Sequence, residues 1–204
     1  MAHHHTSSIL VIGYGNTLRS DDGVGPAIAQ AVAEWQHPQI HTIICHQLTP
    51  ELADPIAAAS LVIFVDAIAH TEDSTPQTLL RSLTLNSPPS SAQTVPDITP
   101  DVTPDWVAHR CHPVTLLSLA QWLYHHTPTA WLIAVPAVSF AMGCEFSDTA
   151  IHEMQTALMM IETIINHSGL LDDNSSNSCT CYTTSQDVSN VVLNTAKDAA
   201  LTPC

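Results

Sequence analysis

The chain has 204 residues, with four Lys and Arg against nineteen Asp and Glu and a formal net charge of −15. Such a surface repels polyphosphates, which excludes nucleic acid as a partner on electrostatic grounds. At 45% hydrophobic the chain can build one full core, while no apolar run approaches the roughly 18 residues of a membrane helix, so no membrane partner is expected.

Residues 1–8 are His- and Ser-rich and read as a disordered start; they do not resemble a signal peptide, and a cytoplasmic protein is expected. Ile9 to Ile12 is an apolar run that enters Gly13-Tyr14-Gly15-Asn16, a strand followed by a tight loop. A helix is expected from about Val24 to Trp35, because Val24, Ala27, Ile28, Ala31 and Val32 share one face. Ile40 to Cys45 is the second strand, and Thr49 caps a helix with Pro50 in its first position that ends near Ala59. Leu61-Val-Ile-Phe-Val-Asp66 is apolar on both faces, as in a buried parallel strand. Leu79 to Leu85 reads as a further strand.

Residues 86–106 carry Pro88, Pro89, Pro96, Pro100 and Pro104 among Ser, Thr and Asp, and read as a long mobile loop. A helix is expected from Pro113 to about His125, then a strand from Trp131 to Val135. Ser147 caps a last helix with Ile151, Met154, Leu158, Ile161 and Ile165 on its core face. Residues 169–204 form a polar tail that need not fold. Strands alternating with helices imply an α/β domain over residues 9–168, with a parallel sheet wound by crossover helices.

Ligands of open α/β sheets bind at the carboxyl ends of strands, which directs attention to the loop after Ile12. A dinucleotide fingerprint would need a glycine where Leu18 stands, and the next strand ends in Cys45-His46-Gln47 without an acid for a ribose. A phosphate loop lacks its Gly-Lys-Ser/Thr, and Asp21 and Asp22 would repel a phosphate from the helix N-terminus. Carboxylates there suit a cation, the competing reading being that one of them is a helix N-cap. Asp66 closes the third apolar run and would emerge at the same sheet edge, although an aspartate also commonly begins a turn. Two such charges close together are costly unless a cation or a proton bridges them.

An imidazole is available from His109 or His112, in His109-Arg110-Cys111-His112-Pro113 at the start of a helix. Two carboxylates and an imidazole suit a divalent transition metal, and a histidine exposed at a helix start is the bland alternative. Arg19 and Arg110 either pair with the site carboxylates or receive an acidic part of a substrate. The six cysteines form neither a zinc nor a disulfide framework, so reduced thiols are expected. There is no Gly-x-Ser-x-Gly elbow and no recognised cysteine nucleophile signature, which disfavours covalent catalysis.

Gly13-x-Gly15-Asn16-x-Leu18-x-x-Asp21-Asp22-Gly23-x-Gly25 resembles the opening motif of the nickel–iron hydrogenase maturation endopeptidases. The resemblance continues through His46-Gln47-Leu48-Thr49-Pro50-Glu51-Leu52, Val65-Asp66-Ala67, His109-x-x-x-Pro113-x-x-Leu116-Leu117 and Pro136 to Ser147. It is strongest to the branch that serves bidirectional, NAD-linked hydrogenases, particularly of cyanobacteria. It implies an α/β/α sandwich around a twisted, mostly parallel sheet of about five strands. The implied activity is removal of a short C-terminal extension from the hydrogenase large-subunit precursor once nickel is in place.

By the motif match, Asp22, Asp66 and His109 carry metal contact and catalysis, with His112 the alternative imidazole. Asn16, Arg19, Asp21, Gln47 and Arg110 are then expected to bind substrate. The nickel belongs to the substrate, no tightly held cofactor is implied, and the protease is expected to be a monomer. Two rivals share features of this chain. Peptidyl-tRNA hydrolases also open on a strand and Gly-x-Gly-Asn, but four basic residues cannot hold tRNA. A non-catalytic, nickel-dependent hydrogenase assembly chaperone would use the same acids and histidines for docking.

Overall fold

The computed structural model describes residues 8–70, 75–85 and 111–171. The start at 1–7, the whole proline-rich stretch at 86–106 and the tail beyond 171 therefore lie outside the described residues, as do His109 and Arg110. In chain order the elements are β1 (Ile9–Tyr14), α1 (Val24–Ala33), β2 (Ile40–Cys45), α2 (Ala53–Ala58) and β3 (Leu61–Ala69). They continue as β4 (Leu79–Leu83), α3 (Pro113–Tyr124), β5 (Thr129–Ala137) and α4 (Asp148–His167). Short 3-10 turns at Ser20–Gly23 and Pro50–Leu52 lead into α1 and α2.

The five strands form one sheet in the order β2-β1-β3-β5-β4, parallel except for the edge strand β4. Alternate residues of the central strands serve two cores. Ile9, Val11, Ile63, Val65 and Ile133 pack with α1 and α4 on one face. Leu10, Ile12, Val62 and Phe64 pack with Ile56, Leu116 and Leu117 of α2 and α3 on the other. The result is the three-layer α/β/α sandwich expected. α4 begins as read, with the Ser147 hydroxyl accepting from the Ala150 amide at 3.1 Å. Thr49 differs: it precedes a 3-10 turn and makes no cap to the backbone, its hydroxyl bonding the Glu51 carboxylate instead.

The apolar run of β3 stops at Val65, but the strand does not. Its pairing with β5 continues through Asp66↔Ala134 to Ala69↔Ala137, whereas its pairing with β1 ends at Gly13↔Val65. Asp66 thus lies inside a strand, one step past the point where β1 leaves it. The order of the strands also reverses between β1 and β3, since the chain moves from β1 to β2 on one side and then to β3 on the other. A crevice opens at such a switch point.

β4 is tied to α4 by a buried polar pair. Thr78 donates its amide (2.7 Å) and its hydroxyl (2.8 Å) to the Glu153 carboxylate, satisfying a charge in the core. Among the described cysteines Cys45 and Cys111 are free, whereas Cys144 is disulfide-bonded, which corrects the expectation of reduced thiols throughout.

α1 is pressed against the sheet through two glycines. A Cβ on Gly25 would lie 2.5 Å from the Tyr14 carbonyl oxygen and 2.6 Å from that of Val65, and one on Gly13 would collide with the Gly25 carbonyl. Neither obstacle is a side chain that can turn aside. Gly25→Ala is therefore expected to destabilise by about 3 kcal/mol, the upper range for overpacking, as read from urea denaturation. It should also displace the loop between β1 and α1, so residual folded protein should lose activity. A change under about 0.5 kcal/mol, the range of neutral surface substitutions, would contradict this packing.

Candidate functional site

The loop from β1 to α1 is wound by its own polar groups. The Asn16 side-chain oxygen accepts from the Leu18 amide at 2.9 Å, and the Asn16 amide donates to the Asp22 carboxylate at 3.0 Å. Gly15 has φ +145°, and a Cβ there would meet the Asp22 carbonyl, so the turn requires glycine. Ser20 sits in the left-handed region at φ +44°, an uncommon conformation outside glycine. It is held there by a 2.8 Å bond from its amide to the Gly143 carbonyl and by its hydroxyl on that of Ala141. This kink sends adjacent side chains to opposite destinations.

Asp21 goes inward. It is 0% exposed, and its carboxylate accepts from the amides of Val138, Ser139 and Ser147 and from the Ser147 hydroxyl, all within 2.9 Å. The structure therefore takes Asp21 out of the cleft and makes it a tie between the first loop, the segment after β5 and the start of α4. Neither aspartate caps α1, whose N-cap is Gly23 without a side-chain bond.

Asp22 goes outward, into a cleft of about 320 Å³ at the switch point between β1 and β3. Asp66 lines the same cleft from β3, and Asn16 and Arg19 line it from the first loop. His46 and Gln47, which follow β2, close a second side, the His46 ring lying 3.5 Å from the Gly15 carbonyl oxygen. Cys111 and His112 close a third, His112 being the N-cap residue of α3. The cleft thus gathers Asn16, Arg19, Asp22, Gln47, Asp66 and His112.

Tyr14, which sequence reading passed over, belongs to the site. It lines the cleft as the last residue of β1, and its hydroxyl donates to the Asp66 carboxylate. Its own pKa is driven up, by burial first and by the Asp66 charge second.

Asp66 has the perturbed carboxyl. Burial is the main cause, raising its pKa from 3.8 to about 6; the Asp22 charge adds to this, and bonds from Tyr14 and the Ala67 amide and the proximity of His112 partly offset it. A carboxyl poised there can take up or release a proton at neutral pH. Among the described residues, no three His, Cys, Asp or Glu side chains are close enough together to hold a metal ion by themselves. The donors present, two carboxylates with an imidazole nearby, are hard-to-borderline ligands of the type that suits a divalent transition ion brought with other ligands.

No family model and no characterised sequence matches the chain. Solved structures do. The hydrogenase-maturating endopeptidase HybD from E. coli is 19% identical, with 79% of this chain and 94% of that one covered at a TM-score of 0.58. The [NiFe] hydrogenase maturation protease HybD from Thermococcus kodakarensis is 18% identical, covering 77% and 98% at 0.54. The hydrogenase 2 maturation peptidase from a Thaumarchaeota archaeon is 20% identical, covering 81% and 100% at 0.52. The chain therefore has the α/β fold of the hydrogenase maturation endopeptidases over nearly their whole length.

Proposed function

We propose that this chain is an endopeptidase that removes the C-terminal extension of a nickel-loaded hydrogenase large-subunit precursor in the cytoplasm. One observation carries the reading: in this fold, Asp22 and Asp66 converge on one cleft at the sheet's switch point, with His112 at its rim. The nickel is part of the substrate. Asp22 and Asp66 contact it together with an imidazole from His109 or His112, and the ion is what makes two neighbouring carboxylates tolerable. The enzyme needs no tightly bound cofactor of its own and acts as a monomer. The resemblance of its motifs favours the bidirectional, NAD-linked branch of cyanobacteria as the source of the precursor.

Within the cleft, Asp66 is the group suited to proton transfer and Tyr14 the group that orients it. Water delivered to the scissile carbonyl would lose its proton to the Asp66 carboxylate oxygen that does not contact the ion, and that oxygen would pass it on to the leaving amine. Asp22, fixed by the Asn16 amide, holds the ion-bearing part of the substrate. The acid limb of kcat/KM is accordingly expected near pH 6, where free-enzyme Asp66 takes up its proton. Activity should fall tenfold per unit below it.

The direct test is intact-mass measurement of nickel-loaded precursor incubated with the protein, beside nickel-free precursor and Asp22→Ala. Loss of a defined C-terminal peptide only with nickel and intact Asp22 supports the protease. A stable complex without mass change would instead assign the chain to nickel-dependent assembly. His109→Ala and His112→Ala, assayed side by side, identify the imidazole.

A further inference from the structure

Of the four basic residues, Arg19 and Arg81 lie among the described ones, and Arg81 is on the edge strand β4. Arg19 is exposed at the cleft that holds Asp22 and Asp66, yet its guanidinium makes no ion pair among the described residues. It is propped instead on Phe140: the Nε donates to the Phe140 carbonyl oxygen at 3.4 Å, and the guanidinium carbon lies 5.9 Å from the ring centroid. The backbone behind it is fixed by the Arg19↔Gly143 bridge and the kink at Ser20. Four of the five guanidinium donors therefore stay open on a side chain whose position is set from two sides.

We propose that Arg19, held by Phe140, is a carboxylate-binding subsite of the cleft that selects substrates by an anionic group near the cut. The inference rests on the reading that the ligand is a polypeptide, whose anionic groups at neutral pH are carboxylates. The guanidinium fork matches a carboxylate in two parallel bonds. In a chain of net charge −15, an acidic segment has little else to attract it. The carboxylate comes either from an acidic side chain of the extension or from the precursor's own C-terminus.

Three nickel-loaded precursors separate these sources: the natural one, one with the acidic side chains of its extension changed to amides, and one lengthened by a few glycines. KM and kcat are measured for each with the wild type, Arg19→Gln and Arg19→Lys. Arg19→Gln is expected to raise KM for the natural precursor about 10- to 100-fold, as for a charge-assisted bond, with kcat changed less. Arg19→Lys should restore part of the loss. The precursor lacking the relevant carboxylate should show a similarly raised KM with the wild type and no further loss with Arg19→Gln.

Full additivity of the Arg19 and substrate changes, or an unchanged KM in Arg19→Gln, would overturn the subsite. If the wild type cuts none of the precursors, the protease reading fails by itself. Binding of the same three precursors, followed by fluorescence anisotropy, then decides: an Arg19-dependent preference for the carboxylate upholds the subsite, and equal or absent binding overturns it.

Discussion

Asp66→Asn is expected to abolish precursor shortening and, at the same time, to make the protein more stable. The two effects have one cause. Burial in the cleft and the nearby Asp22 charge raise the Asp66 pKa from 3.8 to about 6, so the ionised form is disfavoured in the folded state. Above pH 6 the carboxyl is ionised both folded and unfolded, and the full cost of burying the charge is present. Between pH 6 and 4 the folded protein takes up a proton that the unfolded chain does not, and the cost is progressively relieved. Below that range both states are neutral and it is gone.

A shift of this size corresponds to roughly 3 kcal/mol at 1.36 kcal/mol per pK unit, and the partial exposure of Asp66 reduces it to about 1–2 kcal/mol. Asparagine removes the charge while its oxygen still accepts from the Ala67 amide, which lies 2.9 Å from the Asp66 carboxylate. Its amide can donate to the Tyr14 hydroxyl oxygen in turn. Urea denaturation should therefore place Asp66→Asn above the wild type by about 1–2 kcal/mol at pH 8, with the difference fading near pH 4. Processing should fall by at least about 100-fold, the scale of a lost proton-transfer group. A stabilised protein with undiminished activity would separate the strain at Asp66 from the chemistry. Lost activity without stabilisation would show that the site tolerates the charge by other means.

Much of this arrangement was legible before the fold was known. β2 coincides with the strand expected at Ile40–Cys45, and Ser147 caps α4 as its sequence position suggested. These are local signals, set by side-chain periodicity and backbone donors within one turn. Asp22 and Asp66 were legible as a pair because carboxyl ends of parallel strands meet at one sheet edge. The extent of β3 was not, because Asp66 interrupts its apolar run and the residues beyond it are held by register with β5, some seventy positions away. Tyr14 was missed for a related reason. Its role depends on β1 parting from β3 one residue before Asp66, which only the register shows.

The division between Asp21 and Asp22 was the least legible feature, and it carries the largest expected effect on stability. The partners of Asp21 lie 117 to 126 residues along the chain, so no local pattern announces them. One carboxylate oxygen accepts three donors, the amides of Val138 and Ser139 and the Ser147 hydroxyl, while the other accepts the Ser147 amide. Asp21→Ala would leave these donors facing a void and release the N-terminus of α4 from its anchor. Losses on breaking a buried, fully bonded charge suggest about 3–5 kcal/mol.

Asp21→Asn is the informative intermediate. Its single oxygen can serve the three-donor position, but its amide then opposes the Ser147 N–H, donor against donor. A loss of about 1–3 kcal/mol is expected from one unsatisfied donor in place of four. Asp22, with one backbone bond and a face on the cleft, behaves in the opposite way: Asp22→Ala should cost about 1 kcal/mol or less, typical of one net hydrogen bond, while removing activity. Denaturation midpoints and processing rates for the three variants thus read the two aspartates independently. If Asp21→Ala folds as firmly as the wild type, the buried tie is not what joins α4 to the first loop. The bonds from Ser20 to the Gly143 and Ala141 carbonyls would then suffice to keep Asp22 aimed at the cleft.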